Sequence, residues 1–449
     1  MTKNLFKIIL ACVLTAGMSS CGKDRSGEYY ALISTQTWIY ETMQQNYLFY
    51  EDIPNEEGVN FFRKPHDFVK SLISQKDQKN GIRFTHIDSI YSETESRSGV
   101  QLSFGFEGAL VRIPNGSEAI RVIYTQKDSP ADEIQLKRGD WIIAANGQKI
   151  NSNSYSKFVK NPSEACTFTL GSYNGEQFDT LNVVQMPAPR KVTTNNLLES
   201  HFITSGNRKA FYMLYNEFGL ADEKQLKSVF AQLAGQQFDD IILDLRYNPG
   251  GFVNTSQVLT SNLAPADAMN QIFLKMSSND KINKTETYLI DSKLLGSSVP
   301  LTYQNLYVIT SNVTASASEI LINGLRPYMK GKMYQVGEAT FGKNVAQSRF
   351  TDQRAPQVEL WLTTFSTRNS EDFGDYFEDG LKPDYKASEN LGGQLGLYGT
   401  SDDDLMTPIL YHMANGSFPP EADHTKASRS SHIQVRYNSI EQKPKMLKF

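Results

Sequence analysis

The sequence predicts a multidomain α/β protein with a small helical N-terminal domain, a β-rich middle domain and a larger α/β core. The chain has 449 residues, which is about three times the usual length of a single domain. Hydrophobic residues make up 39% of the chain, which is enough for packed cores. The spacing of apolar residues changes twice along the chain, from helical to strand-like and then to alternating strands and helices.

The charge and cysteine content exclude several classes of protein. The 45 basic and 49 acidic residues give a net charge of −4, so the chain lacks the basic excess typical of nucleic-acid-binding proteins. The three cysteines, Cys12, Cys21 and Cys166, form neither a C-x-x-C pair nor a disulfide framework. No Cys/His cluster has the spacing of a metal site. We therefore expect a fold held by core packing, with no nucleic-acid partner, metal or cofactor.

Residues 1–20 have the features of a signal peptide. They contain two lysines and no acid, and their apolar run, Ile8–Ala16, is too short to span a bilayer. The small residues before Cys21 resemble the lipobox of bacterial lipoproteins, in which the cysteine is acylated and the cut falls before it. The resemblance implies a lipid anchor at Cys21, with residues 21–28 as a tether, on the periplasmic or surface face of the outer membrane in the bacterial cell envelope. Ordinary secretion is the alternative.

Residues 29–97 are predicted to form the small helical domain. Apolar residues at helical spacing, including Leu32 and Met43, run from Tyr29 to Tyr50. A second helix is expected to begin at Pro65, because proline suits the first helical turn. The apolar faces of both helices are interpreted as packing surfaces.

Residues 98–190 are predicted to form the β-rich domain, because short strands alternate with turns. The run Ser103-Phe104-Gly105-Phe106 resembles the carboxylate-binding loop of PDZ domains, and residues 129–147 resemble the helix and strand of PDZ modules in bacterial proteases. The resemblance implies a groove in which an extended peptide adds as a further strand. The alternative is a β-rich packing domain whose groove binds nothing.

Residues 191–416 alternate between strand and helix patterns, which predicts an α/β core with parallel pairing. The predicted elements are strands at Phe211–Tyr215, Ile241–Leu245, Leu306–Thr310, Met333–Val336 and Val358–Thr364, and helices at Glu223–Leu233 and Ser318–Leu325. Residues 417–449 are mostly polar and are predicted to form a loosely ordered tail.

Three motifs in the core have the residue types for chemistry: Asp244–Gly251, Thr314–Glu319 and Gly337–Asn344. The last one fits the G-x-x-x-x-G-K loop of nucleotide hydrolases, but Asn344 stands where a serine or threonine should bind Mg²⁺. Nucleotide hydrolysis is therefore only a weak alternative. The spacing of Ser316 and Glu319 also fits a capping box, which needs no catalytic role.

Together the three motifs resemble those of the carboxyl-terminal processing, or tail-specific, serine peptidases, a family with a serine–lysine dyad and a PDZ domain. The resemblance implies a ClpP/crotonase-like ββα-spiral core. It also implies that Ser316 is the nucleophile, that Lys343 is the general base and that Gln347 assists the lysine. If the alignment shifts, Ser318 becomes the candidate nucleophile.

The chemistry sets physical requirements for this dyad. A lysine can accept the serine proton only when neutral, so its pKa must fall by about three units from ~10.4, a shift that burial can supply. The tetrahedral oxyanion needs backbone donors, for which Ala317, Gly250 and Gly251 are the candidates. The sequence therefore predicts an envelope serine endopeptidase that acts on polypeptides. The rival hypothesis is a peptide- or glycan-associated binding lipoprotein without turnover.

Overall fold

The computed structural model describes residues 26–89, 102–420, 433–441, 443 and 445–448. The predicted signal peptide, Cys21 and most of the tether lie outside the described residues. Within the described ranges, no helix has both the length and the apolar character needed to cross a membrane.

The described residues form eight α-helices and 24 strands. The helices are α1 (Ser26–Asn46), α2 (Pro65–Leu72), α3 (Pro130–Glu133), α4 (Ser152–Tyr155), α5 (Glu223–Leu233), α6 (Val253–Leu263), α7 (Ala317–Leu325) and α8 (Thr407–Asn415). The strands are β1 (Gln78–Lys79), β2 (Ile82–Arg83), β3 (His86–Ser89), β4 (Leu102–Ser103), β5 (Phe106–Arg112), β6 (Glu118–Thr125), β7 (Trp141–Ala145), β8 (Gln148–Lys149), β9 (Cys166–Tyr173), β10 (Phe178–Met186), β11 (Arg190–Lys191), β12 (Leu197–Ser205), β13 (Arg208–Tyr215), β14 (Asp240–Asp244), β15 (Gly250–Phe252), β16 (Ile272–Ser277), β17 (Thr285–Leu289), β18 (Asn305–Thr310), β19 (Met333–Gly337), β20 (Val345–Phe350), β21 (Val358–Arg368), β22 (Tyr385–Lys386), β23 (Gln434–Asn438) and β24 (Met446–Lys448).

The N-terminal block is not purely helical, and its apolar cluster extends into the α/β core. Strand β3 pairs antiparallel with β21 of the α/β core, and Met43 of α1 shares one apolar cluster with Leu360 of β21. The prediction that Leu32 lies on the buried face is wrong, because its side chain is 72% exposed. Ile33, one residue and about 100° further around the helix, takes the buried position instead.

The middle domain is built on a sheet with strand order β10-β9-β7-β6-β5-β23, in which β8 also pairs with β7. The Ser103–Phe106 run lies between two strands, because β4 ends at Ser103 and β5 begins at Phe106. The last strand of the sheet, β23, comes from the far end of the chain and pairs antiparallel with β5.

The core contains a second sheet with the order β12-β13-β14-β18-β19-β22. All pairs from β13 to β22 are parallel, and β12 is antiparallel to β13. Helices α5, α6 and α7 pack on one face of this sheet and α8 packs on the other. The three sequence motifs follow the carboxyl ends of β14, β18 and β19, which are neighbours in the sheet, so the parallel topology brings the motifs together.

A third sheet has the order β15-β24-β20-β21-β16-β17. Strand β24 pairs in parallel with both β15 and β20. The prediction of a loosely ordered tail is therefore wrong for residues 434–438 and 446–448. Strands β23 and β24 are held by backbone hydrogen bonds to neighbouring strands, and polar side chains do not prevent such bonds.

A buried ionic cluster fixes the start of the first motif and joins the middle domain to the core. The guanidinium of Arg246 contacts the carboxylates of Asp244, Asp403 and Glu389 at 2.6, 2.7 and 3.1 Å. Arg138 of the middle domain contacts the same Glu389 at 2.6 Å. These contacts dock the middle domain beside the glycine turn at Gly250.

Candidate active site

Ser316 lies at the N-cap of α7, directly after the turn that follows β18. Its backbone has φ of +62° and ψ of −111°, a strained conformation for a residue other than glycine. The side chain is fully buried, and its hydroxyl makes no hydrogen bond of ordinary geometry with the described residues. The next residue, Ala317, begins α7, where backbone N–H groups lack intrahelical partners. The serine oxygen therefore lies beside the donor end of a helix.

Glu319 connects the serine motif to the lysine motif. Its buried carboxylate accepts hydrogen bonds from the backbone N–H groups of Ser316 at 2.6 Å and Lys343 at 2.8 Å. Two more donors, the Gly342 N–H at 2.5 Å and the Thr340 hydroxyl at 2.6 Å, reach its other oxygen. Burial raises the pKa of Glu319, and these hydrogen bonds oppose the rise. Of these four contacts, the capping-box spacing in the sequence predicts only the one with Ser316.

The same contacts argue against the nucleotide-binding alternative. A phosphate-binding loop needs backbone N–H groups directed at its ligand. Here the N–H groups of Gly342 and Lys343 donate to the Glu319 carboxylate. An anion could replace that carboxylate only if Glu319 left its buried position.

Lys343 is fully buried just before β20. Its Nζ donates to the side-chain oxygen of Gln347 at 2.6 Å and to the backbone carbonyl of Lys445 at 2.6 Å. The ring centroid of Phe84 lies 4.8 Å from Nζ. The structure thus places the predicted base and its predicted assistant in direct contact.

A chain of hydrogen bonds continues behind Gln347 into the N-terminal block. The Gln347 amide donates to the Thr363 hydroxyl at 3.0 Å, and that hydroxyl donates to Asp77 at 2.6 Å. The hydroxyl of Tyr47 donates to the other oxygen of Asp77 at 2.9 Å. Asp77 and Tyr47 are not among the residues that the sequence predicts for the site, because the apolar spacing of the N-terminal block indicates only packing surfaces. No local motif marks either residue.

Asp77→Asn is expected to change the pH dependence of stability. Burial raises the pKa of Asp77 from 3.8 to about 6, so between these values the folded chain keeps a proton that the unfolded chain has lost. The contribution of Asp77 to the free energy of unfolding is therefore complete below about pH 4 and falls by up to about 3 kcal/mol by pH 7. Asparagine does not titrate. Urea unfolding from pH 4 to 7 should show the stability of the variant rising relative to the parent chain.

Asparagine also has only one oxygen to accept the hydrogen bonds from Tyr47 and Thr363. The missing acceptor lowers the free energy of unfolding of the variant by about 1 kcal/mol at every pH. A stability difference that stays constant from pH 4 to 7 would contradict the raised pKa of Asp77.

The paired glycines form the turn before α6, and both have positive φ angles, +111° for Gly250 and +138° for Gly251. A Cβ atom on Gly251 would lie 2.3 Å from the carbonyl oxygen of Phe218, so this position needs glycine. The Gly250 N–H donates to the side chain of Asn248 at 3.0 Å. Gly250 and Gly251 are both predicted as oxyanion donors, but the N–H of Gly250 already has an acceptor within its own turn.

Asn248 connects the glycine turn to the serine motif. Its backbone carbonyl accepts hydrogen bonds from the Ala315 N–H at 3.1 Å and from the Ser318 hydroxyl at 3.2 Å. Ser318, the alternative nucleophile, is thus used as a structural donor. The first and second motifs lie side by side through these two contacts.

The loop predicted to bind peptide carboxylates lies near the glycine turn. The Gly105 N–H donates to the Ser103 hydroxyl at 2.9 Å, and the side chains of Phe104 and Phe106 are buried in the middle domain. A cavity of about 630 Å³ is lined by Ser103, Gly105 and Phe106 together with Pro249, Gly250 and Gly251. The predicted peptide-binding loop and the predicted oxyanion turn therefore border one cavity.

Two stretches that contain these residues match known family models. Residues 209–387 match the model of peptidase family S41, and residues 34–92 match the S41 N-terminal domain. The two stretches together make up more than half of the chain. The chain belongs to peptidase family S41. Ser316 and Lys343 lie in the first stretch, and Asp77 lies in the second.

Relatives of this S41 protein include C-terminal processing serine proteases. Carboxyl-terminal-processing peptidase 1 of Arabidopsis thaliana chloroplasts is 25% identical over 355 residues, which cover 78% of this chain and 68% of that protein. A CtpA-like serine protease of Staphylococcus epidermidis is 25% identical over 268 residues, which cover 58% of this chain and 50% of that protein. The S41 protein thus aligns with only half the length of the staphylococcal relative.

The crystal structure of an S41 protease from Bacteroides fragilis resembles this chain with a TM-score of 0.73 and 29% sequence identity. The similarity covers 85% of this chain and 97% of the other. The S41 protein therefore has the S41 protease fold, with an N-terminal domain and mixed α/β content.

Proposed function

We propose that this S41 protein is a serine endopeptidase that binds extended polypeptides in a PDZ-like groove and hydrolyses them with a Ser316–Lys343 dyad. The observation that carries the proposal is the attachment of both residues to one buried carboxylate. Glu319 accepts the backbone N–H of Ser316 at 2.6 Å and that of Lys343 at 2.8 Å. A strained serine and a buried lysine are thereby held in one fixed arrangement.

In the reaction, neutral Lys343 takes the hydroxyl proton of Ser316 while the serine oxygen attacks the carbonyl carbon of the substrate. The carbonyl oxygen becomes the oxyanion of a tetrahedral intermediate, which the N–H groups of Ala317 and Gly251 stabilise. The protonated lysine then gives its proton to the leaving nitrogen as the C–N bond breaks. A water molecule, deprotonated by Lys343, hydrolyses the resulting ester and restores the serine.

The surroundings of Lys343 support the neutral amine that this mechanism requires. Complete burial penalises the charged form of a lysine. The Nζ atom donates to two uncharged oxygens, those of the Gln347 side chain and the Lys445 backbone. These two acceptors orient the amine, and the pKa of Asp77, the acid whose charge interacts with Lys343, is raised to about 6 by burial.

The shared cavity supports delivery of substrate from the middle domain. Its lining extends from the loop residues Ser103 and Gly105 to the turn residues Gly250 and Gly251. A polypeptide that adds to the edge of β5 would therefore continue toward Ser316. We further propose that this activity is located in the cell envelope on a lipid anchor, a proposal supported by the signal-like N-terminus and Cys21.

Labelling with a fluorophosphonate probe tests the proposal. We expect the probe to attach to Ser316, as shown by peptide mapping, and the chain to hydrolyse an unstructured fluorescent polypeptide. Chelators should leave the rate unchanged, because no metal takes part in the proposed steps. Binding of the polypeptide with neither labelling nor hydrolysis would favour the rival hypothesis, a binding lipoprotein that kept the fold without turnover.

A further inference from the structure

The end of the chain lies along the edge of the middle domain where a peptide would bind. We call residues 433–441, 443 and 445–448 the tail segment. Its strand β23 pairs antiparallel with β5, with Asn438 opposite Ala109. Beyond this strand, the Ser439 N–H donates to the Gly108 carbonyl at 3.2 Å, and the Ser439 hydroxyl accepts from the Gly108 N–H at 3.1 Å. The tail segment thus runs toward the Ser103–Phe106 loop as an added strand, which is a common mode of peptide recognition.

Side chains anchor the tail segment between the middle domain and the core. Ile440 is fully buried in an apolar cluster with Tyr247 and Val313 of the core. The Lys443 ammonium contacts the Tyr124 hydroxyl at 2.9 Å and the Glu107 carboxylate at 3.2 Å. The contacts of Lys443 lie at the cavity that joins the loop to the glycine turn.

The tail segment then enters the catalytic cleft. The carbonyl of Lys445 accepts the hydrogen bond from Lys343 Nζ at 2.6 Å. Strand β24 lies between β15 and β20, with Met446 opposite Gly250 and Lys448 opposite Gln347. The backbone of the tail segment therefore lies between the predicted oxyanion turn and the predicted base, where a substrate backbone would have to pass.

We propose that the tail segment is an intramolecular ligand of the peptide groove and the catalytic cleft, and that it holds the full-length chain in a self-inhibited state. The inhibitory part of this inference rests on the proposed function. Only one strand can pair with each sheet edge, so a substrate must displace the tail segment before it reaches Lys343. Tethering makes the occupant hard to displace, because its effective concentration is of millimolar order.

One buried side chain of the tail segment favours release of this segment over permanent packing in the core. The Nζ of Lys445 is buried and has no hydrogen-bond partner among the described residues. It lies 5.8 Å from the ring centroid of Phe341, and burial lowers its pKa to about 8. Burying an amine without a hydrogen-bond partner costs free energy. Docking of the tail segment pays this cost, and release of the tail segment returns the amine to water and removes it.

Removal of the tail tests the proposal. A chain that ends at Pro420 is expected to cleave an unstructured polypeptide at least tenfold faster than the full-length chain. A synthetic peptide of residues 433–449 should inhibit the shortened chain in trans, whereas a scrambled peptide of the same composition should not. The full-length Ile440→Asp chain, which loses the apolar anchor, should also be activated at least tenfold. Equal rates for the full-length chain and both variants, with unchanged melting temperatures, would overturn the proposal.

A binding measurement tests whether the tail segment occupies the groove and cleft, and it does not depend on catalysis. In the Ser316→Ala background, the labelled 433–449 peptide should bind the shortened chain at least tenfold more tightly than the full-length chain, as measured by fluorescence anisotropy. Equal affinity for the two chains would show that the groove and cleft are not occupied in cis. If neither chain hydrolyses polypeptide but the affinities differ as expected, the proposed function fails while the intramolecular ligand is supported.

Discussion

The Ser316→Ala chain is expected to hydrolyse an unstructured polypeptide about 10³-fold or more slowly than the parent chain, because the attacking oxygen is removed. Its free energy of unfolding should change by less than about 1 kcal/mol. The Ser316 hydroxyl faces the Glu319 backbone N–H in the capping box of α7 but makes no hydrogen bond of full geometry with described residues, so its removal costs at most a weak helix cap. The loss should appear in kcat, measured on the shortened chain as well as the full-length one, and fluorophosphonate labelling should disappear with it.

Ser318→Ala is the matched control, since it removes the same atom two residues away. The Ser318 hydroxyl donates to the Asn248 carbonyl at 3.2 Å, and loss of one such bond costs about 1 kcal/mol. We expect this chain to keep its activity within about tenfold of the parent. If Ser318→Ala is inactive and Ser316→Ala is active, Ser318 is the nucleophile. If both variants remain active, the dyad is wrong.

Lys343→Met is expected to lower the cleavage rate by about 10² to 10⁴-fold, the usual contribution of a general base. Methionine fills a similar volume but cannot accept the Ser316 proton. The free energy of unfolding should fall by about 1–3 kcal/mol, because the buried oxygens of Gln347 and Lys445 lose their donor, so the rate is compared at a temperature where both chains are folded. Fluorophosphonate labelling of Ser316 should slow in parallel with hydrolysis, because both reactions need the activated oxygen.

Lys79→Met is the matched control, because it removes a different lysine that lies beside the loop carrying Phe341 and Lys343. Lys79 lies 5.6 Å from the ring centroid of Phe341, and its Nζ donates to the Glu378 carbonyl at 2.9 Å. It takes no part in the proposed proton transfers, so its variant should hydrolyse substrate at a rate close to that of the parent chain. Equal losses in Lys79→Met and Lys343→Met would point to distortion of the loop rather than removal of a base.

The parts of the site that were predictable from sequence are encoded in short stretches. Ser316 and Glu319 are three residues apart, and Lys343 and Gln347 are four apart, so local patterns reveal each pair. Helix α5 has the predicted bounds, Glu223–Leu233, because its apolar spacing is regular. Alternation of strands and helices also predicted the parallel sheet, whose topology brings the motifs together.

The parts that were not predictable depend on contacts between distant segments. Asp77 reaches Thr363 across 286 positions of sequence, and neither residue belongs to a recognisable motif. The Lys343 amine bonds a backbone carbonyl of the tail segment, 102 positions away. A backbone carbonyl has no signature in the sequence, and the polar side chains of β23 are typical of a solvated tail. Polar composition therefore predicts a loosely ordered segment, although β23 is a strand at the edge of its sheet.

The place of β24 between β15 and β20 also sets the width of the opening that leads to the proposed catalytic groups. Neighbouring strands lie about 4.8 Å apart, so a cleft that holds one strand between two others is about 10 Å wide from backbone to backbone. An α-helix with its side chains is about 10–12 Å across. It would need further space to clear the flanking backbones, so it does not fit in this cleft. The opening is therefore a slot that admits a single extended chain. Folded proteins are expected to resist this S41 protein until a terminus or loop has unravelled.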